Sequence, residues 1–152
     1  MLSSIDHINL VVSDLPAMTA FYRDVLGFVV TKQVTIRGDW IGRTVGLENV
    51  EAEVVYLDLP SGPRIELLRY VSPRPIRSED LDRPNTLGLR HVAFKVDDID
   101  AAVSRFRQSG IVFVSDVQTV PNAQVTYAGG VRKRLAYFHD PEGNILELCE
   151  YS

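Results

Sequence analysis

The chain is written twice. HINLVVSDLPAMTAFYRDVLGF, from His7 to Phe28, aligns with HVAFKVDDIDAAVSRFRQSGIVF, from His91 to Phe113. His7/His91, Asp14/Asp98 and Tyr22/Phe106 each stand 84 residues apart, and one residue is lost before Gly27 pairs with Gly110. Further on, VVYLDLPSGPRIELL (Val54 to Leu68) aligns with LAYFHDPEGNILELC (Leu135 to Cys149). There Tyr56/Tyr137, Pro60/Pro141, Gly62/Gly143 and Glu66/Glu147 all stand 81 apart. A repeat this long makes each half one supersecondary unit, and the two units must build the fold from equivalent parts.

Within a copy the periods are legible. Ile5 to Val12 is aliphatic and β-branched, which predicts a strand with His7, Asn9 and Val11 on one face and Ile8, Leu10 and Val12 on the other. Asp14 can cap a helix whose first turn holds Pro16, with Met18, Phe21, Tyr22, Val25 and Leu26 at helical spacing until Gly27. Asp98, Ile99, Ala102, Val103, Phe106 and Gly110 repeat that design. About three strands follow each helix, the last two joined by DLPSGP or HDPEGN. The prediction is an α+β fold of two tandem βαβββ modules over 4–71 and 88–151, with a Pro-rich surface linker, 72–87, that carries no apolar period.

Composition narrows the function classes. Of 152 residues 45% are hydrophobic and 24% charged, ordinary for a globular chain, and the net charge of -4 offers no basic field for nucleic acid. The start has no basic, long-apolar leader pattern, and no segment approaches the roughly 20 apolar residues that cross a bilayer, so a cytoplasmic protein without membrane partner is expected. The single cysteine, Cys149, excludes an internal disulfide and a Cys-based metal cluster. Any metal ligands must be His, Asp or Glu.

Two residues per module resist a packing explanation: His7 and His91 in the first strands, Glu66 and Glu147 in the last. Alternation sends Ile65 and Leu67, like Leu146 and Leu148, to the helix side, so both glutamates face the other way, into the concavity of the sheet. A lone strand histidine is explained by a hydrogen-bonded core site, and a lone glutamate by an edge. Their recurrence at equivalent places favours a shared function. Two carboxylates facing two imidazoles would be neutralised by one divalent cation, with two open positions on a six-coordinate ion.

At these residues the sequence resembles the vicinal oxygen chelate superfamily, which includes glyoxalase I, methylmalonyl-CoA epimerase, extradiol dioxygenases and bleomycin resistance proteins. DHINLVVSDL, FYRDVLGF, HVAFKVDDID and DPEGNILEL carry the resemblance, over nearly the whole chain. It implies an open, metal-centred barrel, with His7, Glu66, His91 and Glu147 as ligands to one divalent ion (Zn, Ni, Co, Mn or Fe), a small-molecule substrate with vicinal oxygens, and a homodimer. The implied activity is that of an isomerase, epimerase or glyoxalase-type lyase, moving a proton beside a chelated carbonyl through an enolate or ene-diolate, with Glu147 or Glu66 as base. The alternatives are a non-catalytic drug- or metabolite-sequestering protein of the bleomycin resistance type and a ring-cleaving dioxygenase. Two His and two Glu resemble bacterial glyoxalase I, whereas the dioxygenases use two His and one Glu.

The glutathione-gripping Arg and Asn of glyoxalase I would fall at Val11 and Tyr70, which argues against a glutathione adduct. Asn9 and Lys95 share the histidine faces and are candidate substrate contacts. In RGDWIGRTVGLENVEAE, 37–53, Trp40 and Arg43 are further candidates, on a segment read as a loop and lid over the pocket or as a surface loop. Its counterpart in the second module is 120–133, with Gly129-Gly130.

Overall fold

The computed structural model describes every residue except Thr126 and Ala128, so two positions of the 120–133 segment lie outside the described residues. The chain divides into two units, Met1–Ser78 and Glu79–Ser152. In the first, β1 (His7–Val11) is followed by α1 (Leu15–Ala20), β2 (Val29–Arg37), α2 (Asp39–Val45), β3 (Glu51–Asp58) and β4 (Arg64–Ser72). The sheet order is β1-β4-β3-β2, with β1 parallel to β4 and the other pairs antiparallel. The second unit holds β5 (His91–Lys95), α3 (Ile99–Gln108), β6 (Gln118–Thr119), a 3-10 turn at Asn122–Gln124, β7 (Lys133–His139) and β8 (Ile145–Tyr151), in the order β5-β8-β7-β6. Each module is thus one mixed four-stranded sheet, and neither sheet closes on itself.

The helices start where the sequence predicts. Asp14 Oδ1 accepts from the Ala17 N–H at 3.0 Å and Asp98 Oδ1 from the Ala101 N–H at 2.9 Å, each satisfying an otherwise orphaned donor. The chain leaves both helical segments through glycines at positive φ, +83° at Gly27 and +85° at Gly110, a region that side-chain-bearing residues adopt only with strain. Met18 and Tyr22 are fully buried with Phe21 beneath the helix-side face of β3 and β4, where Leu57, Ile65 and Leu67 have almost no exposure. Tyr22 meets Phe21 and Phe28 edge-on, each at 5.7 Å between ring centres. In the second unit Ile99, Val103 and Phe106 pack with Phe138, Leu146 and Leu148, and Phe106 meets Phe138 edge-on at 5.5 Å.

Three features depart from the sequence prediction. The first helix does not continue as an α-helix to Leu26: residues Phe21–Val25 form a π turn, in which the Leu26 N–H reaches the Phe21 carbonyl at 3.2 Å. Thr19 Oγ1 donates back to the Leu15 carbonyl at 2.7 Å, a contact that competes with helix hydrogen bonding just before the change. The 37–53 segment is not a loop, because it holds α2, closed by Gly46 in the left-handed region. The first of the three later strands in the second module shrinks to the isolated bridge Phe113–Phe138 and the two residues of β6; after the Val120 N–H bonds the Lys133 carbonyl, Pro121 has no N–H to continue the ladder. Among the described residues no helix is long and apolar enough to cross a membrane.

Phe138, with no exposure and aromatic neighbours on two sides, is the test of the second core. Phe138→Ala is expected to cost about 3–5 kcal/mol, read from urea unfolding followed by circular dichroism. Asp98→Ala, which removes only the cap, is expected to cost about 1 kcal/mol in the same assay.

Candidate functional site

Alternation holds in both first strands. Residues His7, Asn9 and Val11 are exposed while Ile8 and Leu10 are half-buried, and His91, Ala93 and Lys95 alternate in the same way with Val92 and Phe94. The glutamates stand on the same face but one strand further in. β4 and β8 are flanked on both sides, so Glu66 lies between Asn9 and Tyr56, and Glu147 between Ala93 and Tyr137. β1 and β5 are edge strands with a neighbour on one side only. The consequence is a half-exposed imidazole against a buried carboxylate: side-chain exposures are 43% and 12% for His7 and Glu66, 39% and 4% for His91 and Glu147.

In the first unit His7 Nε2 lies 3.2 Å from Glu66 Oε2, and His7 Nδ1 lies 2.8 Å from Asp6 Oδ2. Both ring nitrogens of His7 thus face carboxylate oxygens, and each contact is satisfied by a ring proton or by a cation between the two atoms. In the second unit His91 Nε2 lies 3.3 Å from Glu147 Oε2.

The tyrosines that mark the repeat belong to the site. Burial, then the charge of Glu66 and the hydrogen bond its carboxylate accepts from Tyr56, push the Tyr56 hydroxyl above the usual phenol range. Burial and Glu147 do the same to Tyr137, whose ring also lies 5.2 Å from that of His91. Both tyrosines are visible in the sequence as repeat markers ten residues before the glutamates, but only cross-strand register places them beside a carboxylate.

Lys133 is the residue the sequence did not reveal. Its Nζ lies 3.3 Å from Glu147 Oε1 and 5.4 Å from the centre of the Tyr151 ring. Burial alone would lower its affinity for a proton, but the Tyr151 hydroxyl and the Glu147 carboxylate outweigh burial and hold it above the usual lysine range. At 3.3 Å the contact with Glu147 is an ion pair, and among the described residues Oε1 has no other polar partner at that distance. The period of two puts Lys133 on the face of Tyr137, which is the signal that could have found it.

The other candidates are placed apart or only alongside. Asn9 sits across from Glu66, and Lys95 pairs in register with Cys149, four residues beyond His91 on its face. Trp40 and Arg43 lie on α2, which follows the Arg37 end of β2; Arg37 pairs with Glu51, whereas Tyr56, opposite Glu66, pairs with Lys32. Five strand residues separate those rungs, roughly 17 Å along the sheet. Arg43 lines a separate open groove with Asp39, Glu48, Glu51 and Ser72. Two arginines near the strand ends are engaged by carboxylates, Arg64 by Asp58 at 2.9 and 3.0 Å and Arg69 by Glu53 at 2.6 and 2.9 Å.

Among the described residues no set of three or more His, Cys, Asp or Glu side chains is gathered at metal-ligand spacing. Within each unit one expected imidazole ligand meets one expected carboxylate, His7 with Glu66 and His91 with Glu147. Each pair suits a divalent ion. Imidazole nitrogen with carboxylate oxygen is a donor set for a borderline metal, and neighbouring ligands on an octahedral ion with bonds of about 2.1 Å stand about 3 Å apart. The buried Glu147 Oε1 has the Lys133 ammonium as its neighbouring charge, at 3.3 Å.

Cys149 is buried on the same strand face as Glu147, and burial first, then the charge of Glu147, pushes its thiol up. Its reaction with a disulfide reagent at pH 8 is therefore expected to be slow in the folded protein and complete only after unfolding, as followed by thiolate release.

Comparison with known proteins agrees with the fold and the repeat. The model of the Glyoxalase/Bleomycin resistance protein/Dioxygenase superfamily matches residues 4–148. An uncharacterized Escherichia coli K12 protein, YaeR, is 34% identical over 151 residues, 98% of this chain and 97% of its own. A 2-epi-5-epi-valiolone epimerase from Actinomyces is 30% identical over 149 residues, 95% of this chain and 78% of its own. The crystal structure of a Bacillus cereus glyoxalase family protein superposes with a TM-score of 0.84 at 30% identity, covering 99% of this chain and 95% of that one. With two matched βαβββ modules and a family match over nearly its full length, this chain belongs to the glyoxalase/bleomycin resistance protein/dioxygenase superfamily.

Proposed function

We propose that this protein is a divalent-metal-dependent isomerase or epimerase, or a glyoxalase-type lyase, that moves a proton at the carbon beside a carbonyl of a small substrate with vicinal oxygens. The observation that carries the proposal is the buried carboxylate facing an imidazole nitrogen, made once in each unit by equivalent residues. His7, Glu66, His91 and Glu147 are the proposed ligands. A bound divalent ion would supply Lewis-acid polarisation of the substrate carbonyl.

The chain's own residues supply the rest. Asp6 orients the His7 ring through Nδ1, and the Tyr56 and Tyr137 hydroxyls donate to the two glutamates and fix their carboxylate planes. Glu66 or Glu147 takes the proton from carbon and returns it. Asn9 and Lys95, exposed beside the pairs, are proposed substrate contacts. The likeness to an epimerase over 95% of the chain supports this class of reaction. The lone buried thiol accords with a cytoplasmic setting. For the homodimer in this proposal, exposed Val112 and Val114 offer apolar surface.

A second function, sequestration of an apolar metabolite without chemistry, is favoured by one feature. On the face that carries Glu66, the partly buried Val34, Ile36 and Tyr70 pack against a buried apolar cluster of Ala52, Val54 and Leu68. Elemental analysis of protein purified without chelator separates the two: the enzyme is expected to carry about one divalent ion per site, and the sequestering protein none. In deuterated water, the enzyme should wash deuterium into carbon-bound positions of a substrate drawn from CoA thioesters, hemithioacetals and keto-sugars. Glu147→Gln and Glu66→Gln are each expected to lower that exchange by at least about a hundredfold. Full exchange by both variants would sink the proposal.

A further inference from the structure

The two carboxylates occupy equivalent places in the repeat, yet they are not equally held. Lys133 Nζ lies 3.3 Å from Glu147 Oε1, and the residue at the same repeat position in the first unit is Ala52. The surroundings follow that difference. Around Glu66 the neighbours on its face are Ala52, Val54 and Leu68, an apolar cluster, whereas around Glu147 they are Lys133, Leu135 and Cys149. Lys133 is well covered, with 16% of its side chain exposed, and its ammonium is flanked by the Tyr151 ring. It is thus confined by packing and is not a surface lysine sampling many rotamers.

We propose that Lys133 is a positioning residue that tethers Glu147 through Oε1, so that this glutamate offers only Oε2, on the His91 side, to a metal ion. This rests on the His–Glu pairs being metal ligands. The two oxygens of Glu147 already have different partners: Oε2 faces His91 Nε2 at 3.3 Å, and Oε1 faces Lys133. A carboxylate pinned in this way cannot rotate to chelate with both oxygens. The ammonium also opposes a second positive charge nearby, which weakens ion binding and keeps the metal exchangeable. Glu66, with alanine where Lys133 stands, carries no such restraint. The pseudo-symmetry of the repeat is therefore broken at one position in a way that gives its two carboxylates different freedom.

The test is a titration of the metal-free protein with Co²⁺ at fixed pH and ionic strength, read by calorimetry and by the visible absorption of the bound ion. Lys133→Met, which keeps the length of the side chain and removes the charge, is expected to bind Co²⁺ about tenfold more tightly. Its visible absorption band should also shift, as a second carboxylate oxygen replaces a bound water on the ion. Lys133→Arg, which keeps the charge, is expected to match the unsubstituted protein in both. A purely structural lysine would shift the melting temperature of the Met variant and leave the spectrum alone, and an unchanged affinity and spectrum in a folded Lys133→Met protein would overturn the tether. Should that variant fail to fold, Lys133→Gln makes the same comparison. If the unsubstituted protein itself binds no Co²⁺, both the tether and the metal-dependent function proposed above fail together; binding by the unsubstituted protein with no change on substitution removes the tether alone.

Discussion

The constraint on which the site depends is a carboxylate in an interior strand. Glu66 on β4 and Glu147 on β8 each have a strand on both sides, and neither can reach bulk water as an edge residue would. An ionised group so placed must find positive charge and hydrogen-bond donors within its own shell. Everything polar nearby serves that need: a tyrosine from one neighbouring strand, a histidine from the other, and in the second unit a lysine. The histidines remain half-exposed because they sit on edge strands. Each pair thus joins a buried carboxylate to an imidazole that solvent reaches.

The repeat supplies the site with symmetry, and the departures from it supply differences. In the first unit the face carrying Glu66 continues into aliphatic residues, and α2 is inserted between β2 and β3. In the second unit the corresponding strand contracts to two residues, and Lys133 replaces the smallest member of the aliphatic cluster. Equivalent faces of the two modules thus differ, with a buried apolar cluster in one and a cation in the other.

Much of this was legible in order of sequence. The alternation of His7, Ile8, Asn9, Leu10 and Val11 predicts their faces because the strand period is two whatever lies around it. Asp14 and Asp98 identify helix starts because a cap is a contact over three residues. Glu66 and Glu147 stand out because a charge inside an aliphatic strand is costly wherever that strand goes. The π turn at Phe21–Val25 was not legible, since the same apolar spacing serves an α-helix. α2 was missed because Gly38, Gly42 and Gly46 read as loop residues, although two of them flank the helix as caps. Tyr56, Tyr137 and Lys133 were passed over as site residues because their roles come from strands that are far from their partners in sequence or depend on register.

By itself the sequence determined the two-module plan, the face of every residue in the first strands, and the four side chains that packing could not explain. These are local properties, set by period, capping and the cost of a charge among aliphatic neighbours. Only the tertiary structure decided that the glutamates are buried and the histidines accessible, that His7 turns Nε2 and not Nδ1 toward Glu66, and that Lys133 holds one carboxylate and not the other. Those outcomes depend on which strand is interior and which residues lie opposite in register, and strand order and register are set by packing across the whole sheet.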